Sequence, residues 1–297
     1  MQTKDNKYQM PMQSIFRKIL IAQLLFCQVW AVAGNMSTNT HENADSGQQI
    51  ITGDAAYQWV DEHLDSLADS YLLKSGNILD PDIVREELKC IGYNGLNVTD
   101  YIMASRQIDS LVLIKLIDRA EAENNKTIFF MMGSTAAGKS TALRNNPNLK
   151  ALANSAGLVY DGAFISIPSF ETRLKMVQDR GFKASIIFVH NDPKTGFTNM
   201  INRLIRSNRA MSYYYYVYCY PRFKGRIAYL QEEHPDVTLY CLDNSQNKGG
   251  VRVSIKEALT WDYTITEQME RTLYDIMQQF IKSGLLTPAQ IQALMAH

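Results

Sequence analysis

The chain has 297 residues, 46% of them hydrophobic, which is enough for one sizeable α/β core plus an appendage. Its 30 basic and 30 acidic side chains balance, so no overall field draws it to nucleic acid, and a nucleic-acid partner would need a local patch. Cys27, Cys90, Cys219 and Cys241 show neither a disulfide framework nor metal-knuckle spacing, and His190 and His234 stand apart from other ligand types.

At the N-terminus, Phe16-Arg17-Lys18 precedes an apolar run from Ile19 to Ala33 that finishes Ala31-Val32-Ala33 before Gly34. This is the layout of a secretory leader with an A-x-A cleavage site, and it is too short for a stable membrane span. An amphipathic or buried N-terminal segment, or translation starting at Met12 or Met36, fits the same residues. Asn35 to Gln49 is rich in Ser, Thr, Asn, Asp, Glu and Gly, which predicts a flexible linker. Residues 1–49 are therefore expected to be leader and linker, and 50–297 the folded domain. Localisation stays open between the cytoplasm and export of a protein that acts where ATP is present.

Within the body, Ala55 to Leu73 carries apolar residues at helical spacing and Gly76 stops it. Asn77 to Asp80 predicts a short strand delivering Asp80 and Asp82 to its C-terminal edge. Helices are expected from Asp82 to Lys89 and, as one or two pieces, from Tyr101 to Glu123. The apolar stretch Thr127 to Met132 reads as a buried strand, followed by a helix over Ser140 to Asn145. Further strands are predicted at Gly157–Tyr160, Ala184–His190 and Val237–Leu242, with helices at Phe170–Gln178, Phe197–Arg209, Thr266–Ile281 and after Thr287-Pro288. Tyr213 to Tyr220 is left between core packing, with half of its rings inward if it is a strand, and a platform for a base or sugar. Strands alternating with helices predict an α/β fold with a mostly parallel sheet flanked by helices, whose ligands sit beyond the C-terminal strand ends.

The run Gly133-Ser134-Thr135-Ala136-Ala137-Gly138-Lys139-Ser140-Thr141 begins where the buried strand should end and leads into a helix. It matches the phosphate-binding P-loop, which makes ATP the expected nucleotide and phosphoryl transfer the expected chemistry. Gly133 and Gly138 would let successive N–H groups face phosphate oxygens. Lys139 would reach the outer phosphates, Ser140 would hold Mg2+, and Thr141 would line the phosphate site. A glycine-rich turn with a surface lysine is the plain alternative.

Phosphoryl transfer also needs a carboxylate near the attacking hydroxyl and cations on the transferring oxygens. Asp80 and Asp82 are candidates for the base, with Asp82 preferred, although Asp82 also suits a helix cap. Arg85, three positions on, would share its face and clamp a substrate phosphate or carboxylate, or form a surface ion pair. Asp161, before Gly162, would organise Mg2+ or hold a substrate hydroxyl, or simply end a strand. Arg203, Arg206 and Arg209 recur every three residues and would form one helical stripe, with Arg203 and Arg209 favoured for neutralising developing charge.

These residues together resemble the zeta-toxin family of P-loop kinases, whose toxins phosphorylate nucleotide sugars such as UDP-N-acetylglucosamine. Val159-Tyr160-Asp161-Gly162 resembles the family's strand ending in an acidic residue and glycine. Ile186 to Val189 with Asp192 resembles its next strand, Arg203 and Arg209 its lid arginines, and Val237 to Asn244 its later strand ending in Asp-Asn. The resemblance covers about half the chain and implies a nucleoside-kinase-like P-loop NTPase fold, ATP and Mg2+ as cofactors, a small-molecule acceptor and an antitoxin-like protein partner. In the family a D-x-D-x-x-R element follows the P-loop helix, but too few residues separate Thr141 from Leu158 to hold it here. Asp80-Pro81-Asp82-Ile83-Val84-Arg85 has this form and lies before the P-loop, so a rearranged strand order is expected, in which the strand bearing Asp80 and Asp82 keeps its place in the sheet but enters first. The alternatives are an ATPase or GTPase switch, with Asp161 or Asp192 near Mg2+, and a catalytically silent nucleotide binder.

Overall fold

The computed structural model describes residues 41–42, 49–246 and 249–296. The expected leader lies outside them; His41–Glu42 (β1), within the expected linker, and Gln49–Ile50 (β2), at its junction with the expected domain, pair as a short antiparallel ladder. Among the described residues no helix is long and apolar enough to cross a membrane.

Continuous apolar runs specify strands covered on both faces, and two of them lie side by side at the centre of a six-stranded sheet. These are β4 (Thr127–Met132) and β6 (Lys183–His190), in register from Thr127 opposite Lys183 to Met132 opposite Phe188. With β3 (Ile78–Leu79), β5 (Leu158–Asp161), β7 (Thr238–Asp243) and β8 (Val251–Val253) the order is β3-β5-β4-β6-β7-β8. The first five run parallel and β8 is antiparallel to β7, closing one edge. β3 enters the sheet before β4 in the chain, yet it lies beyond β5, so the segment bearing Asp80 reaches the same rim as the ends of β4 and β5.

Alternate residues of the central strands feed two separate cores, as a period of two requires. Ile128, Phe130 and Met132 face the larger one, under α1 (Gly53–Ser75), α3 (Val98–Ala122), α6 (Ile167–Asp179) and α7 (Pro193–Ser207). Phe129 and Met131 face a smaller core closed by α4 (Lys139–Asn145) and α5 (Pro147–Ser155). Phe130 is fully buried against edge-on Phe164 and Phe170, and such a side chain contributes roughly 1.5–3 kcal/mol of burial. Helices thus flank both faces, unequally.

Several expectations change in detail. Asp82 does not cap a helix. Asp80 does, its Oδ1 accepting the Asp82 N–H at 2.9 Å, and the short α2 (Pro81–Val84) runs on into a 3-10 turn at Arg85–Ile91. The residues expected as one or two helices from Tyr101 to Glu123 form the single helix α3, which starts at Val98 and is capped by Glu123. The tyrosine run is neither strand nor flat platform but α8 (Tyr213–Cys219), because Ser212 accepts the Tyr215 N–H and starts a helix. Helical spacing then sends Tyr213, Tyr216 and Tyr220 into the core and leaves Tyr214, Tyr215 and Tyr218 exposed. α5 went unpredicted although Asn146 and Pro147 mark its start, the Asn146 side chain accepting the Leu149 N–H. The edge strand β8 was also missed, since three residues carry no period.

Candidate functional site

Parallel strands deliver their following loops to one rim, and two groups of polar side chains gather there. The first surrounds the loop after β4. Gly133, Ala136 and Gly138 have positive φ, and the Ala137 N–H closes the turn onto the Ser134 carbonyl at 3.1 Å. Gly138 is required twice over: its φ is +91°, and a Cβ there would lie 2.1 Å from Asn244 Nδ2. Asn244, buried just after β7, donates that amide to the Ala137 carbonyl at 2.8 Å and accepts the N–H groups of Gly249 and Gly250 at 3.0 Å each. It thereby ties the β4 loop to the β7–β8 connection, a role that the Asp-Asn pair in the sequence did not reveal.

Lys139 opens α4 with its Nζ 4.0 Å from Asp161 Oδ1, and Ser140 Oγ donates to Asp161 Oδ2 at 2.9 Å. Asp161 is buried at the end of β5, whose register sets it opposite Met131, one residue before β4 ends. The lysine, the hydroxyl and the carboxylate therefore converge as the sequence suggested. Thr141 lies one position further into α4, and its Oγ1 accepts from Arg144 at 3.5 Å. Asp192 does not join the group: its Oδ1 caps α7 by accepting the N–H groups of Lys194 and Thr195.

The second group assembles around Asp82. Arg209 approaches its Oδ2 at 2.6 Å, Arg203 the same oxygen at 3.6 Å, and Arg85 its Oδ1 at 3.4 Å. Asp80 stands beside them, 4.0 Å from Arg209. Tyr71 fixes this turn, donating to the Ile78 carbonyl at 3.0 Å and accepting the Asp80 N–H at 2.8 Å. Arg209 is not on the helical stripe with Arg203 and Arg206. α7 ends at Ser207, Asn208 turns left-handed, and Arg209 swings back to Asp82, while Arg206 stays exposed and bonds its own helix. The turn is braced by the Ala210 N–H on the Gly95 carbonyl. It is also held by Gln290 of the C-terminal helix Pro288–Met295, which donates to the Leu204 carbonyl and to Asn208 Oδ1.

Charge distribution follows from these contacts. Burial would raise the Asp82 carboxyl, but Arg209, Arg203 and Arg85 outweigh it and hold the group below the usual carboxylate range. Asp80 goes the other way, raised by burial and then by Asp161 and Asp82 against the pull of Arg209. Because Asp161 acts on Asp80, the two groups on the rim form one electrostatic neighbourhood. Beneath them lies a carboxyl that the sequence reading missed, Asp109 of α3, only 6% exposed and pushed up to about 7 by burial, with Arg173 and Arg85 opposing. An acidic residue within an otherwise apolar helical face was the available signal. Arg173 donates to Tyr160 Oη at 3.0 Å and to Ser169.

Among the described residues, the buried side-chain polar atoms left without a partner belong to Ser75, Asp109, Ser134, Asn191, Arg203 and Arg209. Ser134 belongs to the β4 loop and Arg203 and Arg209 to the Asp82 cluster, so unpartnered polar atoms occur in both groups, which suits a ligand-binding surface. No three His, Cys, Asp or Glu side chains among the described residues are placed to hold a metal by themselves. An open hollow lined by Gln178, Lys183 and Asp236 sits at the start of β6, at the other end of the strand, away from these residues.

In comparisons with known proteins, no family model matches the chain and no curated protein is significantly similar to it.

Proposed function

We propose that the protein is an ATP-dependent kinase that transfers the γ-phosphate to a hydroxyl of a small molecule, a nucleotide sugar being the class that the zeta-toxin resemblance suggests. The observation that carries this reading is the convergence of Asp82 with Arg85, Arg203 and Arg209 on the rim that also holds Lys139, Ser140 and Asp161. A hydrolytic switch would use Lys139, Ser140 and Asp161 alone; a transfer enzyme needs the Asp82 cluster as well.

In this reading the loop from Gly133 to Thr141 is a P-loop that cradles the phosphates with its backbone N–H groups, and Lys139 neutralises the outer ones. Ser140 Oγ and Asp161 offer two hard oxygen ligands 2.9 Å apart, which fits Mg2+ held by few protein ligands with phosphate and water completing the shell. Bound there, the metal would offset charge on the phosphate oxygens. Asp82 takes the proton of the acceptor hydroxyl as its oxygen bonds to the γ-phosphorus and the bond to the ADP leaving oxygen breaks. Arg203 and Arg209 stabilise charge on the transferring group, and Asp80 and Arg85 contact the acceptor. The position of β3 beyond β5, although it enters before β4, is consistent with a nucleoside-kinase-like sheet whose base-bearing strand has moved ahead of the P-loop.

The test is to incubate the full chain with Mg2+, γ-labelled ATP and a panel of nucleotide sugars, nucleosides and cell extract, beside Lys139→Ala. Label should appear on a small molecule with the wild type alone. Lys139-dependent release of free phosphate with no labelled acceptor would establish the switch instead, and nucleotide binding with neither would establish a silent binder.

A further inference from the structure

We infer that Asp82 occupies, in the nucleotide-free protein, the anion site that Arg203 and Arg209 offer to the outer phosphates, so that nucleotide and the enzyme's own base compete for the same guanidinium groups. This rests on the kinase reading and gives Asp82 a second role, as an internal stand-in for phosphate that guards the site until ATP arrives.

The geometry supports exchange rather than a permanent structural ion pair. Arg209 and Arg203 both address one oxygen of Asp82, at 2.6 and 3.6 Å, while Arg85 takes the other. Three guanidinium groups meeting one carboxylate leave surplus positive charge, which Asp80 only partly offsets at 4.0 Å from Arg209. The Nε–H donors of both Arg203 and Arg209 are buried without a partner, so the cluster makes fewer hydrogen bonds than it has donors. A tetrahedral oxyanion with three acceptor oxygens would satisfy those donors better than one carboxylate, and Arg forks suit phosphate. Asp82 keeps 42% of its side-chain surface accessible, leaving room for the carboxylate to part from its partners.

The consequence is a base switched on by its co-substrate. While Arg209 and Arg203 are bound to Asp82, the carboxylate is a poor proton acceptor. Once the γ-phosphate draws them away, Asp82 loses its nearest cations and gains basicity at the moment an acceptor hydroxyl can be used. Arg85, which sits deeper and also donates to Ser105 Oγ at 3.4 Å, stays behind to hold Asp82 in place.

Isothermal titration of wild type, Asp82→Asn and Lys139→Ala with Mg·AMP-PNP and Mg·ADP tests this. Asp82→Asn should bind Mg·AMP-PNP about 5- to 50-fold more tightly than wild type, a common size for coupling between sites, with a smaller gain for Mg·ADP, which lacks the γ-phosphate. In an Arg203→Gln/Arg209→Gln background the same substitution should bring no gain. Unchanged or weaker AMP-PNP binding by Asp82→Asn, with Lys139→Ala still weakening it, would overturn the competition and leave the P-loop reading intact. Should Lys139→Ala bind AMP-PNP like wild type, the P-loop reading falls and the inference with it. A measurement without substitution guards against misfolding: the 13C carboxyl resonance of Asp82 in aspartate-labelled wild type should titrate at higher pH once Mg·AMP-PNP is added, and an unmoved titration would refute the exchange.

Discussion

Replacing Asp109 by Asn should change how stability depends on pH more than it changes stability at acid pH. Asp109 is buried on α3, one of its oxygens has no partner, and its carboxyl is raised from 3.8 to about 7. The groups that face it are Arg173 and Arg85, which favour its charge, Asp80 and Asp82, which oppose it, and the phenols of Tyr160 and Tyr71. A raised acid binds its proton in the folded state when the unfolded chain has already lost it. Stability must therefore fall as pH rises from about 4 to about 7, and level off above. Holding the carboxyl up by that interval corresponds to about 4 kcal/mol at most. Asn cannot ionise, so Asp109→Asn removes this part of the slope and leaves the smaller, same-signed part from Asp80. At roughly 2–4 °C per kcal/mol for a domain of this size, Tm at pH 8 should exceed wild type by several degrees, while at pH 4 the two should nearly agree. Urea or thermal denaturation from pH 4 to 8 measures it. Parallel stability profiles for the two proteins would refute the reasoning.

Other substitutions probe how the rim is built. Gly138→Ala would set a methyl 2.1 Å from Asn244 Nδ2 in a backbone unsuited to side chains, so it should lose about 1–3 kcal/mol by urea denaturation. Asn244→Ala costs stability itself by breaking three hydrogen bonds, so in a double-mutant cycle only the coupling between the two substitutions reports the share due to the clash. Gly196→Ala would set a methyl 2.6 Å from Tyr216 Oη, so it should lower Tm by less in a Tyr216→Phe background, which itself loses the hydrogen bond to the Pro193 carbonyl, than in wild type. Asp161→Asn should raise the Mg2+ concentration needed for half-maximal turnover about tenfold or more, while an unchanged requirement would remove Asp161 from the metal's surroundings.

What the sequence revealed depended on range. The Gly133–Thr141 run and the apolar strands are local patterns, and each element formed within a few residues of its expected position. The Asp80–Arg85 spacing is short enough to read along the chain, and the structure sets Asp82 against Arg85, Arg203 and Arg209; the shortness of the chain between Thr141 and Leu158 said only that such an element had to lie elsewhere, and its place in the sheet was expected from a resemblance alone. Long-range placement was harder. Arg209 looked like the third member of a helical stripe, but Asn208 ends the helix and reverses the direction of its side chain. Asp109 was hidden in an apolar helix, since nothing in its neighbours along the chain says that Arg85 and Arg173 arrive from elsewhere. The tyrosine run fits either period until Ser212 is seen to cap it.

The central claim is that the Asp82 cluster and the Gly133–Thr141 loop form one phosphoryl-transfer site. Its most direct test compares label transfer from γ-labelled ATP to a small-molecule acceptor by wild type, Asp82→Asn and Lys139→Ala, with nucleotide binding measured on the same samples. The account predicts transfer by wild type, a fall of roughly 10²–10⁴-fold in Asp82→Asn with binding retained, and loss of both in Lys139→Ala. Undiminished transfer by Asp82→Asn, or no labelled acceptor from wild type, would contradict it.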